Sequence, residues 1–476
     1  MIRTVRIRHI TLTAIALGAV VLGTAPAALA APGDWTQVSQ TTNAAQYPRI
    51  SNTAQPTVAR FGTALQVLWT QGMSSSKESY LTALLDARGQ ITTPATVALA
   101  DWNALTADPT LTTVAGQRFL SFSGLNPGRT GAQYFATSGD GLSWGVSDGS
   151  MSATQSAYAG YGSDLTDNAG TPVWVGNPGS ASGVTWHVGT SSNPAPAGTD
   201  GNFSLSGCCA YNAAVARDQA SGAVYTAFYS NTSSPVEEGI QIGQILPTQG
   251  AFSQAAGSVT TNDYGTNSSD PGQRVAMAAR SGGGVFVAYK MGYPSTKTIR
   301  ILRVDSGATL DFPVSGNVRS VSMGADPAGR IWVSWNQDSK MRAVHTNKAG
   351  TVLGSIGSWG APRGTETMWK TAVNGSESGA DIVVTATTSS AINAWHTQIE
   401  RTITIKAAAA RRGAGVKFTV SDAGDPVSGA TVKFGSRTGR TNGAGKVTIT
   451  APGSGNVKAT AKKGGYNPGV TVVKVR

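Results

Sequence analysis

Gly329-Arg-Ile-Trp-Val-Ser-Trp335 sets a turn glycine in front of alternating apolar residues and closes the run with an aromatic side chain. The pattern returns six more times. Gly116 leads to Phe122, Gly170 to Gly176, Gly222 to Phe228, Gly283 to Tyr289 and Gly379 to Thr385 over the same six-residue step, and Gly62 leads to Trp69 over one residue more. Successive glycines lie 54, 54, 52, 61, 46 and 50 residues apart, room in each interval for a sheet of four short strands. Alternation puts every second side chain on one face of a sheet, and a period of this length marks a ring of repeated sheets. The chain therefore reads as all-β, a β-propeller of seven or six blades followed by a C-terminal β-sandwich. The count turns on the repeat at Gly379, which lacks the closing aromatic.

Each repeat follows one order. An inner strand comes first, as in Pro56-Thr-Val-Ala, Pro109-Thr-Leu-Thr, Arg274-Val-Ala-Met and Arg319-Ser-Val-Ser; a tight turn follows, then the strand of the opening motif. A third strand succeeds it, as in Ile299-Arg-Ile-Leu-Arg-Val and Met341-Arg-Ala-Val-His. Asp86, Asp167, Asp218, Asp326 and Asn347 stand before the turn glycines, where a short polar side chain bonds the local backbone, so they read as turn formers. Residues 31–55, with Trp35 and Tyr47-Pro-Arg-Ile50, are the candidates for closing the ring.

The first 30 residues read as an export signal. Arg3, Arg6 and Arg8 precede the apolar run Ile10 to Leu22, too short to span a bilayer, and Ala28-Leu-Ala30 offers a small-residue cleavage site. The expected division is 1–30 signal peptide, 31–405 propeller, 406–414 linker and 415–476 sandwich. The product is expected to be secreted, extracellular or associated with a cell wall, without a membrane span, and a monomer. The formal charge of +12 belongs to one end: residues 406–476 hold 13 Lys or Arg against Asp422 and Asp425, whereas residues 31–405 hold 21 basic and 23 acidic side chains. A near-neutral propeller has no field that favours nucleic acid, and a basic tail suits phosphate-rich or carboxylate-rich wall polymer, or serves solubility alone. Cys208 and Cys209 are adjacent and cannot join distant elements; a strained ring between them, two free thiols or an intermolecular link all stay open.

Beyond residue 405, Val416-Lys-Phe-Thr-Val, Ala430-Thr-Val-Lys-Phe, Gly445-Lys-Val-Thr-Ile-Thr, Asn456-Val-Lys-Ala-Thr-Ala and Gly469-Val-Thr-Val-Val alternate as short strands. Asp425-Pro-Val-Ser-Gly-Ala-Thr-Val followed by Thr441-Asn-Gly-Ala-Gly-Lys-Val-Thr-Ile resembles the carboxypeptidase-regulatory and bacterial immunoglobulin-like modules appended to exported proteins. That resemblance implies a β-sandwich for spacing or adhesion. Thr137-Ser-Gly-Asp-Gly-Leu-Ser-Trp144 resembles the Asp-box of sialidase-like propellers with the aspartate shifted by one position, and Tyr47-Pro-Arg-Ile50 resembles their Arg-Ile-Pro start with the proline on the other side of the arginine. In that family the Asp-box is a structural turn remote from catalysis.

Loops entering the inner strands gather around the channel on one face of a propeller, and ligand sites form there. Those positions are Tyr47 and Arg49, Asp108, Tyr161 with Asp164, Cys208, Cys209 and Tyr211, Arg274, Arg319, and Trp369 with Lys370. The ligand-binding candidates are Tyr161, Cys208, Cys209, Tyr211, Trp369 and Lys370, with cations to hold a carboxylate and aromatic rings to stack on a sugar. The alternative is a sialidase-like glycoside hydrolase or a polysaccharide lyase. The sialidase resemblance implies an arginine cluster from Arg49, Arg274 and Arg319, a tyrosine nucleophile from Tyr211 or Tyr289, and Asp108 as acid, but the glutamate such a tyrosine needs has no motif. No cofactor and no metal are expected: His187, His345 and His396 lack ligand spacing, and phosphate-loop, dinucleotide and nucleophile-elbow motifs are missing from the sequence.

Overall fold

The computed structural model describes residues 33–51, 54–126, 133–149, 163–177, 183–189, 200–207, 210–230, 238–258, 274–292, 296–316 and 318–476. Within them every helix or strand assigned is a strand, and those between Thr36 and Thr402 fall into seven antiparallel sheets. The segment read as an export signal, Tyr161, Cys208 and Cys209 lie outside the described residues.

The inner strands are Thr57–Phe61, Ala104–Val114, Ser163–Asn168, Ala210–Arg217, Ala276–Ala279, Val318–Ala325 and Thr367–Gly375, for blades 1 to 7 in order. Each packs against the next, and that of blade 7 packs against that of blade 1, so the ring is closed and seven-bladed. Closure uses both ends of the propeller segment. Thr36–Gln37 and Thr42–Asn43 pair with Ala391–Thr402, the third strand of blade 7, so that Thr36 stands opposite His396 and Thr42 opposite Ile392. The next segment, Arg49–Ile50, pairs with the second strand of blade 1.

The motif strand Ile331–Gln337 is buried at every residue. Ile331, Val333 and Trp335 pack on Phe286, Ile299 and Phe312 of blade 5, while Trp332 packs on Met368, Val373 and Ile382 of blade 7. A sheet stacked between two others has no wet face, which is why Ile331 to Trp335 carries only one polar residue, Ser334. The turns follow the expected chemistry: Asp86, Asp167 and Asp326 accept hydrogen bonds from the backbone of Arg88, Gly170 and Arg330 at 2.8, 2.7 and 2.9 Å. Asp218 bonds Ala220 within its own turn and Gly284 in the next blade.

The stretch from Thr137 to Trp144 connects the third and fourth strands of blade 2. Asp140 accepts from the backbone of Ser143 and Leu142 and from the Ser138 hydroxyl, and these three bonds hold its carboxyl down to about 2. Its chemistry is consumed by the turn.

The tail forms two sheets around one core of Phe418, Val420, Val432, Phe434, Ile449, Val473 and neighbours. Part of the stretch read as a linker is strand: Thr404–Ala407 pairs with Gly415–Asp422, and Ala410 bridges to Val475. The tail also extends the propeller, because Tyr466–Asn467 runs parallel to Arg401 and Thr402 at the end of blade 7.

Candidate functional site

The inner strands are irregular where they begin. Register shifts fall between Thr106 and Thr110, Tyr211 and Ala214, Arg319 and Val321, and Met368 and Thr371. Asn212 and Ser320, inside two of these bulges, take φ of 57° and 48°. A bulge adds a residue to one strand and re-aims its side chains, and four blades spend it at the face where ligand groups were expected.

The structure sorts the expected residues into two groups. Near the ring axis, Arg274 of blade 5 bonds Thr110 of blade 2 and stands 3.6 Å from Asp164 of blade 3. Asp164 also accepts from the Thr110 hydroxyl at 2.6 Å and from the Val215 backbone of blade 4 at 2.8 Å. Four blades thus meet in one polar knot across the channel, with the Asp164 carboxylate occupied by structural donors.

The second group lies off the axis, where blades 6, 7 and 1 adjoin. A cleft of about 520 Å³ between blades 7 and 1 is lined by Tyr47, Arg49, Gly72, Glu78, Trp369 and Thr387, among others. Tyr47 is 43 % exposed and lies against Gly72, where an added Cβ would come within 2.8 Å of its ring; the missing side chain is what seats the tyrosine. The Arg49 guanidinium lies 4.8 Å from the Tyr47 ring centroid and bonds the Tyr47 hydroxyl and the Ala44 carbonyl at 3.4 Å each. Among the described residues no carboxylate pairs with Arg49. Trp369 is tied through its indole N–H to Thr387 at 2.8 Å, and Arg319 reaches over its ring at 5.7 Å. Burial pushes the Glu78 carboxyl up, against the opposing effect of the Leu105 amide that it accepts from. A neighbouring cleft of about 230 Å³ between blades 6 and 7 is lined by Arg319, Asn336, Asp338 and Glu366.

Several expectations come out differently in three dimensions. The described contacts of Arg274 lead to the axial knot, whereas Arg49 and Arg319 flank Trp369, so the arginines fall in separate groups. Lys370 is 1 % exposed, its backbone N–H bonded to Thr385, and is buried in blade 7 instead of standing on the rim. Tyr211 stacks on Tyr229 with centroids 6.2 Å apart. Tyr289 donates its hydroxyl to the Ala256 carbonyl at 3.0 Å, and burial pushes its pKa up, the reverse of an activated nucleophile. Asp108 lies within the blade 2 bulge. Among the described residues no group of three or more His, Cys, Asp or Glu is placed to hold a metal.

A cavity of about 710 Å³ lies at the opposite mouth, between turns that leave the inner strands, with Arg60, Gln219, Ser281, Asn374, Ser376 and Gln398 in its wall. Sequence reasoning that looked only at strand entries passed it by. The residues just before each motif glycine were the available signal.

Fold and site together define a closed seven-bladed β-propeller with an aromatic and cationic cleft between its last and first blades and a two-sheet tail. The chain is similar to a fucose-specific lectin from Aleuria aurantia, with 14 % identity, 73 % of this chain and 93 % of the lectin covered, and a TM-score of 0.40. A structure of that lectin described as a six-bladed propeller aligns over the same shares at 13 % identity with a TM-score of 0.36. A puromycin-hydrolysing peptidase of Mycobacterium tuberculosis aligns over 82 % of this chain at 13 % identity with a TM-score of 0.42, and the chain spans 62 % of it. No family model matches the sequence, and no curated protein matches it.

Proposed function

We propose that this protein is an exported recognition protein that holds an extracellular glycan in the cleft between blades 7 and 1, with its basic tail serving association with the cell wall or surface. The observation that carries the reading is the convergence of Tyr47, Arg49 and Trp369 on a cleft of about 520 Å³. That size suits a small ligand such as one or two sugar rings, aromatic faces stack on the apolar side of a sugar, and a guanidinium with no carboxylate partner among the described residues is ready for hydroxyls or an acidic group. Glu78, whose carboxyl burial pushes up, adds a further hydrogen-bonding group to the cleft wall. Export is supported by the basic, apolar and small-residue order of residues 1–30, and the tail is read as an immunoglobulin-like spacer from its turn and strand pattern.

The test is retention of neutral, sialylated and uronate-containing oligosaccharides by the purified protein, with Trp369→Ala and Arg49→Ala alongside. Each substitution is expected to weaken retention about tenfold, the effect of losing roughly 1.4 kcal/mol of stacking or charged hydrogen bonding. Retention that ignores both substitutions, or no retention of any glycan, overturns the reading.

A further inference from the structure

The fold separates the tail's charges. Its two acids, Asp422 and Asp425, turn toward the propeller: Asp422 faces His345, Arg401 and Arg330 at 3.1, 3.3 and 3.6 Å, and Asp425 faces Arg330 at 3.7 Å and accepts from the Lys348 backbone at 2.9 Å.

The tail's second sheet, which carries neither acid, has the order Arg437–Arg440, Thr431–Phe434, Gly455–Lys462, Gly469–Val475. Val432, Phe434, Ala459, Ala461, Val473 and Val475 point into the core. Alternation therefore sends Lys433, Arg440, Lys458, Lys462 and Lys474 outward, with Thr431, Thr438 and Thr460 between them, and no acidic residue occurs on the four strands. The register sets Lys433 opposite Thr460, Thr431 opposite Lys462 and Arg440, and Val472 opposite Lys458. Lys474, Lys458 and Lys433 follow one another as diagonal neighbours, about 8 Å apart from strand and residue spacing. Val470 and Val472, 56 % and 61 % exposed, border this track.

We infer that this outward face docks a linear polyol phosphate polymer of the cell surface, a surface assignment that rests on the export and wall-association reading above. Four of the five cations are lysines, point charges that meet a phosphate from any side along a flexible polymer. Threonine hydroxyls between the lysines supply neutral donors to the remaining phosphate oxygens, and the two valines lie beside the track for the carbon backbone of the polymer.

The experiment measures binding of the full chain to immobilised poly(glycerol phosphate) across salt concentration. The triple variant Lys433→Gln, Lys458→Gln, Lys462→Gln is compared with Lys406→Gln, Lys417→Gln, Lys446→Gln, which removes the same charge from exposed positions on the other sheet. Loss of about three phosphate contacts should flatten the slope of log affinity against log salt by about 2 in the first variant and much less in the second. Equal weakening by both triples overturns the face and leaves wall association standing as a matter of net charge. No binding by the unaltered chain to the polyol phosphate, to anionic vesicles or to polygalacturonate overturns both. Face-dependent binding to vesicles containing anionic lipid, or to polygalacturonate, without binding to the polyol phosphate overturns the choice of polymer.

Discussion

Asp422 is a tail residue, 1 % exposed, whose carboxylate serves blade 6 through Arg330 and His345 and the end of blade 7 through Arg401. His345 also presents Nδ1 to the Thr346 carbonyl at 2.9 Å, so both ring nitrogens face acceptors. Removing the shared carboxylate leaves Arg401 buried with no carboxylate partner among the described residues, while Arg330 keeps Asp326 and Asp425 at 3.3 and 3.7 Å. Asp422→Ala is expected to cost about 3–5 kcal/mol, read as a fall in the denaturant midpoint, since breaking a buried pair on one side strands the partner charge. Burial pushes the Asp422 carboxyl up, but His345, Arg401 and Arg330 together outweigh it and hold the group below its ordinary value. A depressed carboxyl contributes its full stabilisation above the unfolded pKa of about 3.9 and loses it as pH falls through the lower folded value. The difference in stability between the native chain and Asp422→Asn should accordingly shrink as pH is lowered below about 4; a difference that stays constant down to acid unfolding contradicts the assignment.

The motif turns are the element that recurs, and their glycines are not equivalent. Gly329 sits at φ +91°, and a Cβ there would stand 2.7 Å from the Ser281 carbonyl of blade 5 and 3.1 Å from that of Lys348. Gly62 has φ +61° with nothing within 4 Å of the same position. Gly62→Ala bears only the left-handed backbone penalty, about 1–2 kcal/mol, whereas Gly329→Ala adds a clash with backbone that cannot rotate away. Thermal unfolding should show the larger fall for Gly329→Ala; equal falls would mean that the neighbouring turn yields. The repeat glycine thus serves blade contact as well as chain reversal at this position.

The whole ring depends on a short piece of chain far from its partner in sequence. Thr36–Gln37, Val38 and Thr42–Asn43 complete blade 7, with Val38 2 % exposed in the core shared by blades 7 and 1. Deleting residues 33–43 leaves Ala391–Thr402 as an open edge and removes that packing. The truncated protein is expected to melt at lower temperature and to associate through the free edge, seen by calorimetry and by size-exclusion chromatography. An unchanged melting temperature would show that the ring holds without its closing strands.

The repeat, the strand order and the turn residues were legible in the amino-acid sequence because each arises from local rules: alternation for a sheet face, Asp or Asn with Gly for a turn, and a period for a blade. Blade number was legible to within one, since Gly379 to Thr385 keeps the apolar run but, like Gly170 to Gly176, lacks the closing aromatic that marks the other five. The site was legible as a set of positions and not as a set of contacts. Whether Arg274 stands with Arg319 or with Thr110, 164 residues away, depends on how many blades close the ring and how each inner strand bulges. Whether His345 is a repeat residue or the partner of Asp422 depends on where the tail folds back. Sequence alone determined the units, because their chemistry is short-range; tertiary structure decided which units share a cleft, a buried charge or an outward face, because those contacts arise only when the ring and the tail close upon each other.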